Sequence, residues 1–277
     1  MFSSVVVVAN VETGRVRGIP VAVELAHQGQ LPVTVLSVAS PASRSADPAQ
    51  RRRLLPEELS DSLLVIHEDD VATGIVEHVR NRDGVLLVMD TNARSLVTQR
   101  LHGSISVRVL QEVRQPVLLV GPAVPDPVPM SSPTLIVCTD RSQDSVAALP
   151  VVESWQRTFG GGGGGGCGGG NRPSIVEVMP TAAWPEGTSD DAVEHEHVDA
   201  LATVLADHGI DAATRVLHGG DSVKWLLEFA EHVDEAVFVA TSTRWAGGRS
   251  HWYSTTRRLV QRSPRPVLVV PADLPGY

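Results

Sequence analysis

Short runs of branched apolar residues punctuate the chain, separated by longer segments in which apolar positions recur every three or four residues. In the first half the runs fall at Val5 to Ala9, Val33 to Val38, Leu63 to Ile66, Val85 to Met89 and Val117 to Val120. In the second they fall at Leu135 to Thr139, Ile175 to Met179, Ala213 to Leu217, Ala236 to Ala240 and Val267 to Val270. These Val-rich runs lack polar alternation, so they predict parallel strands buried on both faces. The periodic segments between them predict the covering helices. Five strands joined by right-handed crossovers leave few arrangements other than a doubly wound sheet. Ligands bind such sheets beyond the carboxyl ends of the strands, where strand order reverses. That rule places Asn10, Asp90, Asp140 and Ala240 at the rims.

The two halves carry one plan written twice. "QPVLLVGP" (Gln115 to Pro122) recurs as "RPVLVVPA" (Arg265 to Ala272), and in each copy the strand proline lies 12 residues after a serine, Ser104 or Ser254. "SVVVVAN" is mirrored by "TLIVCTD". Between the copies, "GPAVPDPVPMSSP" holds five prolines in 13 residues and reads as a semi-rigid linker. The expected organisation is α/β: two Rossmann-like domains, residues 1–124 and 134–277, each a five-stranded parallel sheet flanked by helices, with a Pro-rich linker at 125–133. Their closing strands would otherwise leave apolar sheet edges, so the domains pair with each other as a built-in pseudo-dimer or a second protomer covers them in a homodimer.

This strand plan, with "PVLLV" and "PVLVV" closing the halves, resembles the universal stress protein family in tandem form, of the adenine nucleotide alpha hydrolase-like fold, over nearly the whole chain. Nucleotide-binding members carry an Asp at the end of the first strand and Gly-x2-Gly-x9-Gly-Ser/Thr after the fourth. On the first half that pattern falls on Asp90, Ala93, Gly103 and Ser104, with Asn10 at the first-strand position. On the second it falls on Ala240, Thr243, Tyr253 and Ser254, with Asp140 and Ser142 at the first-strand end. Glycines in such loops bring backbone N–H groups close to phosphate and allow positive φ, and the following helix start favours the anion. Most of those glycines are replaced here. Asp90 puts a carboxylate where triphosphate charge would lie; at about 5 Å and an effective dielectric of about 20, each such pair repels by roughly 3 kcal/mol. Tyr253 puts a ring where the family presents bare backbone. The resemblance implies an adenine nucleotide, ATP or AMP with magnesium, as the ligand class. Asn10 and Asp140 would face ribose or metal, and Ser104 and Ser254 phosphate. Both sites read as degenerate, with the first keeping more phosphate affinity through Gly103 and Ser104.

Charge sharpens this picture. The chain has 277 residues and a formal charge of −9, which argues against general nucleic-acid or acidic-membrane binding. Yet Thr91 to Gln111 contains Arg94, Arg100 and Arg108 without an acid, and Thr241 to Ala272 contains Arg244, Arg249, Arg257, Arg258, Arg262 and Arg265. These are either a basic mouth for an anion at each rim or solvated helix faces whose arginines favour the helix C-terminus. No apolar run reaches the roughly 18 to 20 residues needed to span a bilayer, and the N-terminal sequence lacks a basic leader, so the cytoplasm is the expected location. Two cysteines, Cys138 and Cys167, fit a reduced compartment and form no metal spacing.

The other candidate motifs are weaker. "CTDRSQDS" faintly resembles the pyrophosphate loop of adenylating enzymes, but Arg141 and Ser142 take its glycine positions; Thr139, Asp140 or Ser142 capping the next helix is the simpler reading. The tract Gly160 to Gly170, ten glycines in 11 residues around Cys167, fixes no phosphate cradle and reads as a surface loop. In "EHEHVD", His195 and His197 point about 200° apart on a helix, so no metal site is expected and a solvated helix is the better reading. His218 reads as rim scaffolding ahead of a helix capped by Asp221 or Ser222, and Trp245 and Trp252 flank the degenerate loop of the second half. No catalytic residue is identified. Three function classes stay open: a non-catalytic regulatory or protective interaction protein with weak or lost adenine-nucleotide binding, an ATP/AMP-binding stress sensor, and a weak ATP-hydrolysing or adenylating enzyme.

Overall fold

The computed structural model describes residues 1–9, 17–39, 55, 57–91, 105–160, 171–180, 191–242 and 255–274. The first half carries strands β1 (Ser4–Val8), β2 (Val33–Ala39), β3 (Leu63–His67), β4 (Val85–Asp90) and β5 (Val117–Val120), with helices α1 (Gly18–Gly29), α2 (Val71–Arg80) and α3 (Ile105–Glu112). The second half repeats this as β6 (Thr134–Thr139), β7 (Ser174–Met179), β8 (Ala213–His218), β9 (Ala236–Ser242) and β10 (Val267–Pro271). Its helices are α4 (Leu149–Phe159), α5 (Asp191–Asp207), α6 (Ser222–Ala230) and α7 (Thr255–Arg262), and a 3-10 turn at Gln143–Ala148 precedes α4.

All ten strands form one sheet in the order β3-β2-β1-β4-β5-β10-β9-β6-β7-β8. Within each half the pairings are parallel, and the two closing strands meet antiparallel, Leu118 opposite Leu268. The apolar edges that "PVLLV" and "PVLVV" would expose therefore cover each other. The Val-rich runs of the inner strands are buried on both faces because alternate side chains enter different cores, whereas the runs of β3 and β8, at the sheet edges, are only partly buried. Val5, Val7, Leu86 and Val88 enter the core that α1, α4 and α5 cover, while Val6, Leu87 and Met89 enter the core that includes α2 and α3. Both cores cross from one half to the other.

Aromatic rings reinforce that junction. Phe2 stacks on Phe159 with centroids 5.6 Å apart, and Trp155 meets Phe159 edge-on at 4.8 Å, a geometry favoured by the ring quadrupoles. The Pro-rich connector is also pinned. Arg17 donates to the carbonyls of Gly121, Val124 and Pro125, Gln28 donates to those of Met130 and Ser131, and Glu235 accepts from Ser131 and Ser132. Gly121 packs so tightly on α7 that an added Cβ would run into the carbonyl oxygen of Val260.

Strand order reverses twice, between β1 and β4 and between β6 and β9. The carboxyl ends there carry Asp90 in the first half and Asp140 in the second, as the sequence rule predicts, whereas β9 runs two residues past Ala240 to Ser242 and buries Ala240 within the strand.

Candidate functional site

Asp90 ends β4 and turns toward the start of α1. That helix begins with Arg17 at its N-cap, has no side-chain cap of its own and no acid in its first turn. Among the described residues its first N–H groups and positive dipole end therefore have no partner from the helix's own side chains. Asp90 supplies one from another strand: the N–H groups of Gly18 and Arg17 are directed at its carboxylate. A side chain at position 18 would crowd Asp90 Oδ1 at 3.2 Å, so a glycine there lets the carboxylate come close. The match is imperfect, since Oδ1 is buried without a hydrogen-bond partner among the described residues. Burial pushes the Asp90 carboxyl up to about 6, against the opposing pull of the Gly18 N–H and the Arg17 charge. The described part of the first crevice thus already contains an anion, the protein's own.

Asp140 in the second half is differently placed. Its Oδ1 accepts from the Ser142 N–H at 3.1 Å and the Ser145 hydroxyl at 3.0 Å. Burial pushes its carboxyl up, but these hydrogen bonds outweigh burial and hold it below the ordinary range. Ser142 occupies the N-cap of the 3-10 turn without a side-chain cap bond, and Asp140 orders that start by accepting from the Ser142 N–H and the Ser145 hydroxyl. Asp140 borders a cavity of about 90 Å³ at the β6/β9 reversal, shared with Thr139, Ala240, Thr241, Thr255 and Thr256. Cys138 also borders it, with its thiol pushed up to about 12 by burial. Pockets that enclose drug-sized ligands run to roughly 300 Å³ or more.

Of the other site residues expected from sequence, Asn10, Ala93, Gly103, Ser104, Thr243 and Ser254 lie outside the described residues, as do Arg94, Arg100, Arg244, Arg249, Trp245, Trp252, Tyr253 and Gly161 to Gly170 with Cys167.

Arg262 lies in the last turn of α7, but two other described arginines depart from both alternatives. Arg108 and Arg258 hold the fourth position of α3 and α7, in the N-terminal turn rather than at the C-terminus. Each pairs with the aspartate that caps a neighbouring helix. Arg108 donates to Asp70, the cap of α2, and Arg258 donates to Asp221, the cap of α6, at 2.6 and 2.8 Å. The Arg108 hydrogen bond brings Asp70 down to about 2, and Arg258 likewise lowers Asp221. The same clasp is built in both halves, and it commits these two arginines to helix caps. Sequence reasoning missed it, although Asp70/Asp221 and Arg108/Arg258 stand at matching places in the repeat.

A second correction concerns "EHEHVD". Its helix α5 is not solvated all round. Glu194 is buried and meets His218 at 3.2 Å, while His197 meets the Thr139 hydroxyl at 2.8 Å. Beside them Arg141, at φ +63°, bonds the buried Glu177 at 2.6 Å and the Glu194 carbonyl at 3.0 Å. Arg141 thus adopts a conformation that favours glycine while keeping an ion pair that glycine could not make. Among the described residues no three His, Cys, Asp or Glu side chains are grouped to hold a metal, and no helix is long and apolar enough to cross a membrane.

Two doubly wound halves of one ten-stranded sheet, each with a crevice at its order reversal, define a tandem Rossmann-like protein. Residues 1–121 match the model of the Universal stress protein family, so the first half carries a domain of that family. The fold is similar over 98% of the chain to a universal stress protein from Archaeoglobus fulgidus DSM 4304, at 18% identity and TM-score 0.61, covering 97% of that protein. It is similar over the same share to a functionally unknown protein from Pseudomonas aeruginosa PAO1, at 14% identity and TM-score 0.63, covering 92% of that chain. A comparison with curated proteins finds no match.

Proposed function

We propose that this chain is a tandem universal-stress-type protein with a regulatory or protective, non-catalytic role, in which adenine-nucleotide binding is weak or lost. The observation that carries the reading is Asp90. A half-buried carboxylate at the start of α1, with its Oδ1 fully buried at the first order reversal, opposes the charge of a nucleotide phosphate. In the second half the small cavity and the internal bonding of Asp140 support the same reading. The pairing of Arg108 and Arg258 with helix caps removes two cations from the stock available to an anion. A formal charge of −9 supports a protein partner over nucleic acid or an acidic membrane.

A second reading has one observation in its favour. The cavity beside Asp140 is rimmed by hydroxyls, which suits a sensor that takes ATP or AMP with magnesium in the second half alone. Thermal unfolding with 1 mM ATP or AMP, with and without magnesium, separates the two. A site with a Kd of about 10 μM would add about 2.7 kcal/mol at that concentration. We expect no saturable shift in Tm; a magnesium-dependent, saturable rise would favour the sensor.

A further inference from the structure

The two ends of the sheet repeat one plan, yet they present different edges. β3 and β8 are the outermost strands, and among the described residues each pairs with one strand alone, β2 and β7 respectively. Glu68 gives its N–H to the carbonyl of Ala39, so strand alternation turns the backbone groups of Leu64 and Ile66 toward β2 as well. The N–H and C=O groups of Leu63, Val65 and His67 then point away from the sheet. Such a row is a template for another strand unless a charge, a proline or a bulge blunts it. Six residues before the capping Asp221, β8 carries the exposed Arg215. At the same place before Asp70, β3 carries Leu64, which is 38% exposed. The β3 sequence, LLVIH, has no lysine, arginine or proline to guard it. Acids bracket it instead: the exposed Asp61 stands before the strand, and Glu68 and the exposed Asp69 stand after it.

We propose that the β3 edge is a docking strand for an extended segment of a partner protein, with apolar side chains at the segment's centre and basic residues at both its ends. The segment adds to the sheet beside β3. The outward backbone groups of Leu63, Val65 and His67 supply hydrogen bonds, Leu64 supplies apolar contact, and the acids at the two ends of the strand select the charge. Charge also decides between this occupant and a second copy of the chain. Two β3 strands paired antiparallel about Val65 would set Asp61 of each copy against Asp69 of the other, and like charges directly opposite destabilise a strand pair. A basic segment gains attraction at those same two places. The inference rests on the regulatory reading only for its biological role. It uses neither crevice, because β2 separates β3 from the reversal between β1 and β4.

The test is fluorescence anisotropy with the full chain and a labelled peptide of alternating valine and threonine that carries a lysine pair at each end. Saturable binding is expected, and it should be about tenfold weaker when the lysines are replaced by glutamates. Leu64→Arg, which copies the guard of β8, should abolish binding, and Arg215→Ala should leave it unchanged. The double change Asp61→Lys with Asp69→Lys keeps the apolar centre and should weaken binding several-fold; if Leu64→Arg does not fold, this variant and the glutamate peptide carry the test. The proposal is overturned if the lysine peptide does not bind, if the two peptides bind alike, or if folded Leu64→Arg binds as the wild type does. A dimer of the free chain in sedimentation that Leu64→Arg dissociates would also overturn it, by giving the edge to a second copy. None of these readouts depends on the response of Tm to ATP or AMP, so a failure here and a failure of the nucleotide reading are told apart.

Discussion

Replacing Asp90 with asparagine keeps the size and an acceptor oxygen at the start of α1 but removes the charge. In the folded protein the carboxyl is raised from 3.8 to about 6 because burial penalises its ionised form. At about 1.4 kcal/mol per pH decade, the ionised carboxylate is disfavoured by roughly 3 kcal/mol. The sign follows from proton linkage. Between pH 3.8 and about 6 the folded state holds a proton that the unfolded state has released, so this group makes stability fall as pH rises through that window and stay level above it. Relative to pH 7.5, the wild type should gain about 1.4 kcal/mol from Asp90 at pH 5. Asp90→Asn should therefore be more stable than the wild type at pH 7.5, by about 1–3 kcal/mol, and lack that gain on acidification. Denaturant unfolding of both proteins at pH 7.5 and pH 5 gives the double difference, which cancels the other titrating groups. A variant less stable than the wild type at pH 7.5, or one with the same pH dependence, would refute the reasoning.

Other substitutions probe the remaining contacts. Gly121→Ala pushes a methyl group at the Val260 carbonyl, and should cost about 1–3 kcal/mol in denaturant unfolding, as overpacking does. Arg108→Ala removes the donor that lowers Asp70, so the Asp70 carboxyl should move from about 2 toward 3.8 in a carbon-detected titration. Arg141→Gly relaxes the left-handed backbone but leaves Glu177 buried without its ion pair, at a cost of about 1–3 kcal/mol that the added change Glu177→Gln should largely restore.

The scaffold was legible in the sequence because its signal is local and repeated. Runs such as "VVVV" and "VLLV" must be buried on both faces, and each observed strand begins and ends within two residues of its predicted run. The rule that ligands gather where strand order reverses also put Asp90 and Asp140 at the two reversals. The partners of those residues were not legible, because they come from distant chain segments. Nothing near Asp90 in sequence announces Arg17 or Gly18, and nothing near Arg141 announces Glu177, 36 positions away. The arginines misled for a related reason: a cation-rich helix start looks like an anion site until the cap of a neighbouring helix is found opposite it.

Mass spectrometry of small molecules released on denaturation, from protein purified through gel filtration, tests the nucleotide reading most directly. If the first crevice is filled by the carboxylate of Asp90 and the second is too small, the released fraction should contain far less than one adenine nucleotide per chain. One or two equivalents of ATP or AMP per chain would contradict the account.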